Sequence, residues 1–237
     1  MWSKPIETAA AARKTAAFVV VARVPPTVFR RLRGRARLAL AAITPALLAV
    51  TACGDLGMSN PAPPADAPRV AVETDRGTIV IALYVEQAPI TTRNFLEYVD
   101  ASFYDGTLFH RVIADFMIQG GGYGRDMEGR LQLKQTRPPI PLEADNALRN
   151  YRGAVAMARL PDGPDTGTSQ FFVNLVDNQR LDRLGEVELG YAVFGVVVEG
   201  MDVVDEIAGV ATRAETPLPG VDVPVEDVVI RSVRRRQ

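Results

Sequence analysis

From residue 69 onward the chain runs in short apolar stretches of period two, separated by Gly- and Pro-rich breaks. Val70, Val72 and Thr74 alternate with Ala71 and Glu73. After the turn Asp75-Arg76-Gly77, Ile79, Ile81 and Leu83 alternate with Val80 and Ala82. Successive side chains of a strand point to opposite faces, so this pattern predicts a β-hairpin. Further strands are expected over residues 107–113, 116–119, 154–158, 171–176, 192–198 and 225–233. Two segments have helical spacing instead. Pro89 opens one in which Ile90, Phe95, Leu96 and Val99 share a face, with proline suited to the first turn. Residues 201–208 form the other, with Val203, Val204 and Ile207 inward and Gly209 as the stop. Residues 120–152 and 160–168 read as Gly/Pro-rich loops. Many short strands with two helices imply a mainly β chain, a closed barrel whose ends are capped by the helices.

Composition narrows the chemistry. The 237 residues are 47% hydrophobic and 23% charged, as in an ordinary globular protein. Cys53 and His110 are the sole cysteine and histidine, which excludes an internal disulfide and leaves too few ligands for a His/Cys zinc site. The net charge of −1 conceals an asymmetry: residues 1–53 carry nine Lys/Arg against Glu7, a net +8, and the remainder carries a net −9. An acidic domain makes nucleic acid an unsuitable partner.

The basic excess belongs to an address. Arg30, Arg31, Arg33, Arg35 and Arg37 lead into an apolar run over residues 38–50. That run is shorter than the ~20 residues a membrane-spanning helix needs, and its basic entrance is that of a secretory signal. It ends in Val50-Thr51-Ala52-Cys53, which resembles the bacterial lipobox, whose cysteine becomes the acylated N-terminus. Residues 1–52 are thus expected to be a leader, with Val28 as an alternative start that gives a signal of normal shape. Residues 53–68, with Pro61, Pro63, Pro64 and Pro68, read as a lipidated cysteine followed by a semi-extended tether. Gly54 and Asp55 after the cysteine favour the outer over the inner membrane. Residues 69–237 form the single cored domain.

Four ordered boxes in that domain carry a family resemblance. Phe109-His-Arg-Val-Ile-Ala-Asp-Phe-Met-Ile-Gln-Gly-Gly121 is followed by Met157-Ala-Arg159, Ser169-Gln-Phe-Phe172 and Gly190-Tyr-Ala-Val-Phe-Gly195. Their order and spacing resemble the cyclophilins, the cyclophilin-type peptidyl-prolyl isomerases. Residues 143–150 and Tyr191 are similar to bacterial periplasmic members. The resemblance implies an eight-stranded antiparallel barrel closed by two helices, proline-containing polypeptides as partners, no cofactor and no metal. It implies that Arg111 is catalytic and that Phe116, Met117, Phe172 and Leu181 form the proline pocket. Gln119 and Gln170 would orient Arg111 and the substrate backbone, and Ala158 would offer a backbone contact. His110 would be structural, pointing into the barrel with its nitrogens satisfied.

Three positions depart from the family pattern. Arg159 replaces a common Asn and is expected to keep the backbone contact while altering the side-chain one. Arg180 stands where cyclosporin-sensitive members carry Trp, which predicts weak cyclosporin binding. Tyr191 replaces the pocket His of eukaryotic relatives, yet its ring can still wall the slot. Two rival readings exist: a proline-peptide binding module or chaperone with incidental isomerase activity, and a hydrolase built on Ser169, His110 and Asp115. The latter lacks a nucleophile elbow. Gly120-Gly-Gly-Tyr-Gly124 lacks the Lys-Ser/Thr continuation of a phosphate loop and reads as a flexible turn.

Overall fold

The computed structural model of the chain describes residues 59–161 and 163–236. The leader, Val28, Cys53 and the first part of the expected tether lie outside the described residues. Strands β1 (Arg69–Thr74) and β2 (Thr78–Leu83) pair antiparallel with Val70 opposite Ile81 and Val72 opposite Ile79, the hairpin that the alternation predicts. Gly77 has a φ of +138°, and a Cβ there would fall 2.8 Å from Val203, so the turn needs glycine to pass beneath the second helix.

The remaining elements follow in chain order: α1 (Pro89–Asp100), β3 (Thr107–Leu108), β4 (Arg111–Ile113), β5 (Met117–Gly120), β6 (Tyr123–Arg125), β7 (Leu131–Leu133), β8 (Ala154–Met157), β9 (Phe171–Asn174), β10 (Val193–Glu199), α2 (Met201–Ala208), β11 (Thr212–Glu215), β12 (Leu218–Pro224) and β13 (Val229–Arg236). One antiparallel sheet runs in the order β3-β13-β1-β2-β10-β8-β9-β5-β4. Its two edges, β3 and β4, are separated in the chain by Phe109 and His110 alone. Taken as one bent strand they make eight strands, and the curled sheet closes on itself through that strand.

Both helices cover the interior. In α1 the buried face is Thr91, Thr92, Phe95, Tyr98 and Val99, whereas Ile90 and Leu96 are only partly covered. Leu96 still packs against the core beside Phe95 and Val99, and Glu143 caps the helix start: its carboxylate accepts from the Ile90 and Thr91 N–H groups at 3.0 and 2.7 Å and from the Thr91 hydroxyl at 2.7 Å. Helix α2 buries Val204 and Ile207, leaves Val203 half-covered and ends at Gly209. The barrel core is apolar and aromatic, with Phe95 within 5.1–5.6 Å of the Tyr104, Phe171 and Phe194 rings. Each such buried side chain contributes about 1.5–3 kcal/mol.

Two hairpins escape the sequence reading. β6 and β7 pair within the segment expected to be loop, and β11 pairs β12 just ahead of the last strand, which starts at Val229 rather than at 225. With Leu108 of β3 they form a separate small cluster through Tyr123, Leu131, Leu218 and Val223. The end of the Pro-rich segment also lies against the barrel, where the Leu83 N–H donates to the Pro68 carbonyl at 3.0 Å. Among the described residues no helix is long and apolar enough to cross a membrane.

Candidate active site

Each barrel strand sends alternate side chains inward and outward. Val112, Ile118, Val173 and Val155 belong to the interior. Their neighbours form a continuous row on the outer face: Arg111 lies opposite Gln119, Gln119 opposite Phe172, and Phe172 opposite Ala156. Met117 sits two residues along from Gln119. Met117, Phe172 and Ala156 join Phe116, Ala158, Leu181 and the half-buried Tyr191 in a second apolar cluster, distinct from the barrel core. The structure therefore gathers all the apolar candidates from the sequence at one place, beside Arg111.

Arg111 reaches this face through a slip in strand parity. Phe109 and Val112 are both interior, although residues three apart in a regular strand face opposite ways. The interruption between β3 and β4 absorbs the extra residue, as a bulge does, and sends His110 and Arg111 outward together. Arg111 is 6% exposed, and its Nη1 donates to Gln119 Oε1 at 3.4 Å. Gln119 Nε2 in turn donates to Gln170 Oε1 at 2.9 Å. A chain of two amides thus sets the direction of the guanidinium.

His110 is corrected accordingly. It is buried, but outside the barrel core, with its ring 4.7 Å from that of Tyr123 and Nδ1 3.4 Å from the Leu108 carbonyl. Burial, with Arg111 alongside, lowers its pKa to about 4, so the imidazole is neutral. The hydrolase arrangement is absent. The Ser169 hydroxyl donates to the Gly121 carbonyl at 2.8 Å, and Asp115 is exposed at the β4–β5 turn. The glycine run is not a flexible turn either. Residues 120–124 are buried, and a Cβ on Gly122 would fall 2.5 Å from Gln170 Cγ. Glycine there makes room for the side chain that completes the amide pair.

The apolar cluster is braced from behind. Leu181 ends a 3-10 turn, Gln179–Leu181, and its N–H donates to the Asn178 carbonyl at 2.7 Å. Asn178 Nδ2 donates to the Phe116 carbonyl and to Asn174 Oδ1, both at 2.8 Å. The Tyr191 N–H donates to the Leu181 carbonyl at 2.9 Å, and the Tyr191 ring meets Phe172 edge-on at 5.6 Å. Burial raises the Tyr191 pKa, so its hydroxyl stays a donor. Asn178, Asn174, Asn150, Asp182 and Tyr84 were not anticipated. Their traces in the sequence are the 143–150 segment that ends in Asn150 and a recurrence of Asn and Asp over residues 174–182 that reads equally as surface loop.

The departing residues take defined places. Ala158 packs in the outer cluster, and its N–H donates to the Gln170 carbonyl at 2.9 Å. Arg159 turns its side chain to the loops beside the cluster: Nε donates to the Gly190 carbonyl at 2.9 Å, and Nη1 donates to Leu160 at 3.0 Å and Gly163 at 3.3 Å. Its guanidinium lies 4.9 Å from the Tyr191 ring centre. Arg180 is stacked 4.7 Å from the Phe116 ring centre. Among the described residues no group of three His, Cys, Asp or Glu side chains could hold a metal ion.

Known proteins similar to this chain in sequence point to one class, and a solved structure shares its fold. The family model described as cyclophilin type peptidyl-prolyl cis-trans isomerase/CLD matches residues 69–235. Peptidyl-prolyl cis-trans isomerase B of Escherichia coli (strain K12) is 49% identical over 166 residues, covering 69% of this chain and 97% of the relative. Peptidyl-prolyl cis-trans isomerase A of Dickeya dadantii (strain 3937) is 47% identical over 165 residues, covering 70% and 83%. Peptidyl-prolyl cis-trans isomerase cyp18 of Streptomyces antibioticus is 51% identical over 167 residues, covering 70% and 96%. A crystal structure of a Cryptosporidium parvum cyclophilin-type isomerase superposes with a TM-score of 0.57 at 23% identity, covering 72% of this chain and 98% of the other. The chain belongs to the cyclophilin-type peptidyl-prolyl cis-trans isomerases and is an enzyme of that class.

Proposed function

We propose that this isomerase turns X-Pro bonds of exported proteins on the outer face of its barrel, with Arg111 as the catalytic donor. The observation that carries the reading is the alignment of Arg111, Gln119 and Gln170 beside the cluster of Phe116, Met117, Phe172 and Leu181. Rotation about an amide costs ~18–20 kcal/mol because it breaks resonance. No covalent bond is cleaved and no proton is lost, so neither a nucleophile nor a metal is needed. In the twisted state the proline nitrogen lone pair is no longer delocalised and accepts a hydrogen bond. The forked guanidinium can address that nitrogen and the neighbouring carbonyl together while the apolar cluster holds the ring. Ala158 and Tyr191 flank the ring, and Arg159 acts through Tyr191. With an Arg at position 180 in place of an indole donor, cyclosporin binds weakly.

Export is the expected setting. The leader over residues 1–52 and the lipobox at Cys53 support an envelope lipoprotein facing the periplasm, in the outer rather than the inner membrane. Two or three acyl chains on Cys53, at ~0.8 kcal/mol per buried CH₂, anchor it stably.

Exchange NMR on an X-Pro peptide tests the site. Arg111→Ala is expected to lower kcat/KM by about 100-fold or more, a loss of roughly 2.7 kcal/mol of transition-state stabilisation. Normal acceleration by this variant would overturn the assignment. For the anchor, Cys53→Ser should move the protein from the membrane to the soluble fraction, and unchanged fractionation would contradict acylation there.

A further inference from the structure

The Pro-rich segment ahead of β1 is bonded to the domain right behind the apolar cluster. Asn60 uses both ends of its side-chain amide on one residue: Nδ2 donates to the Arg149 carbonyl at 2.8 Å, and Oδ1 accepts from the Arg149 N–H at 2.7 Å. The side chain thus pairs with the peptide as a neighbouring strand would. One residue on, the Pro61 carbonyl accepts from the Tyr84 hydroxyl at 2.9 Å. Tyr84 is 2% exposed and belongs to the same cluster as Phe116, Met117, Phe172 and Leu181. Burial pushes its phenol up to about 12, so it donates at any physiological pH.

On the far side of Arg149 the chain grips the pocket. The Asn150 N–H and Nδ2 donate to the buried Asp182 Oδ1 at 2.7 and 3.0 Å, and Nδ2 also donates to the Leu181 carbonyl at 3.1 Å. The Asn150 carbonyl accepts from the Asn178 N–H at 2.8 Å. The residue held by Asn60 and the residue that holds the Leu181 turn are therefore consecutive.

We propose that Asn60 is a positioning residue of the isomerase: by docking residues 60–61 onto Arg149 and Tyr84 it fixes Asn150, and through Asn150 the Leu181 wall of the proline pocket. The segment is then a working part of the enzyme as well as a spacer. This rests on the assignment of Leu181 to the proline pocket.

The full-length chain tests it. Asn60→Ala is expected to raise KM for an X-Pro peptide about three- to tenfold with kcat within about twofold of wild type, since two hydrogen bonds are lost and Arg111 is untouched. Backbone amide exchange at Arg149 and Leu181 should quicken in the same variant. An unchanged KM, a fall in kcat without a rise in KM, or unaltered exchange at both amides would overturn the proposal. Arg111→Ala run alongside separates the two readings. If it leaves turnover intact, the site assignment fails, whereas the exchange measurement reports on the Asn60 contact whatever turnover shows.

Discussion

Arg111 and His110 are neighbours in the chain with opposite electrostatic fates. The guanidinium is a permanent cation, and Gln119 offers it an oxygen at the outer face. The imidazole loses its proton because burial penalises the cation and Arg111 adds repulsion. An unfolded chain protonates His110 near pH 6.5, the folded one near 4. Between these values the unfolded state binds the extra proton. Stability is therefore complete above about pH 6.5 and falls by up to about 3 kcal/mol as pH drops towards 4. Urea midpoints across that range should show this slope in wild type and lose it in His110→Gln. Turnover should stay level between about pH 6 and 9, because Arg111 does not titrate there. The place of Arg111 beside Gln119 was legible in the sequence because its box is contiguous, Phe109 through Gly121. Asn150, Asn178 and Asp182 were not, since the partners that give them meaning lie up to 62 residues away.

At the scale of elements, irregularity does what regular alternation cannot. A perfectly alternating strand over residues 107–113 would put Phe109 and Arg111 on one face. The break between β3 and β4 instead keeps Phe109 in the core and Arg111 outside it. Alternation predicted the strand correctly, but the slip in parity depends on pairing to β13 on one side and β5 on the other, which no local pattern records. The hairpins β6–β7 and β11–β12 were hidden for a simpler reason. They are short, polar on one side, and interrupted by Gly124 and by prolines at 219 and 224, the residues that ordinarily argue against a strand. The apolar face of α1 was legible in Phe95, Leu96 and Val99, whereas its cap, Glu143, arrives from more than 50 residues downstream. Gly122 offers a test at this scale. Gly122→Ala places a methyl against Gln170 and should displace the Gln119–Gln170 pair. The expected result is a roughly tenfold loss in kcat/KM with a stability change of about 1–3 kcal/mol. Steady-state kinetics beside a denaturant titration would separate the two effects.

For the molecule as a whole, the folding core and the proposed catalytic site occupy opposite sides of one wall. The interior cluster under α1 and α2 holds the barrel together, and the outer cluster beside Arg111 is the proposed site for substrate. Ile207 of α2 is buried in the first and is not part of the second. Ile207→Ala should cost about 2–5 kcal/mol, seen as a lower Tm, while kcat/KM of the folded protein stays within about twofold of wild type. Coincident losses in Tm and kcat/KM would show that the two sides are coupled.

With the proline slot placed as proposed, on the outside of the barrel, nothing has to be threaded into the molecule. A client can present an X-Pro bond from the middle of a long chain, with folded portions on either side, and needs no free end. An enzyme of this shape can act late, on proteins whose folding is already well advanced, as readily as on newly arrived ones.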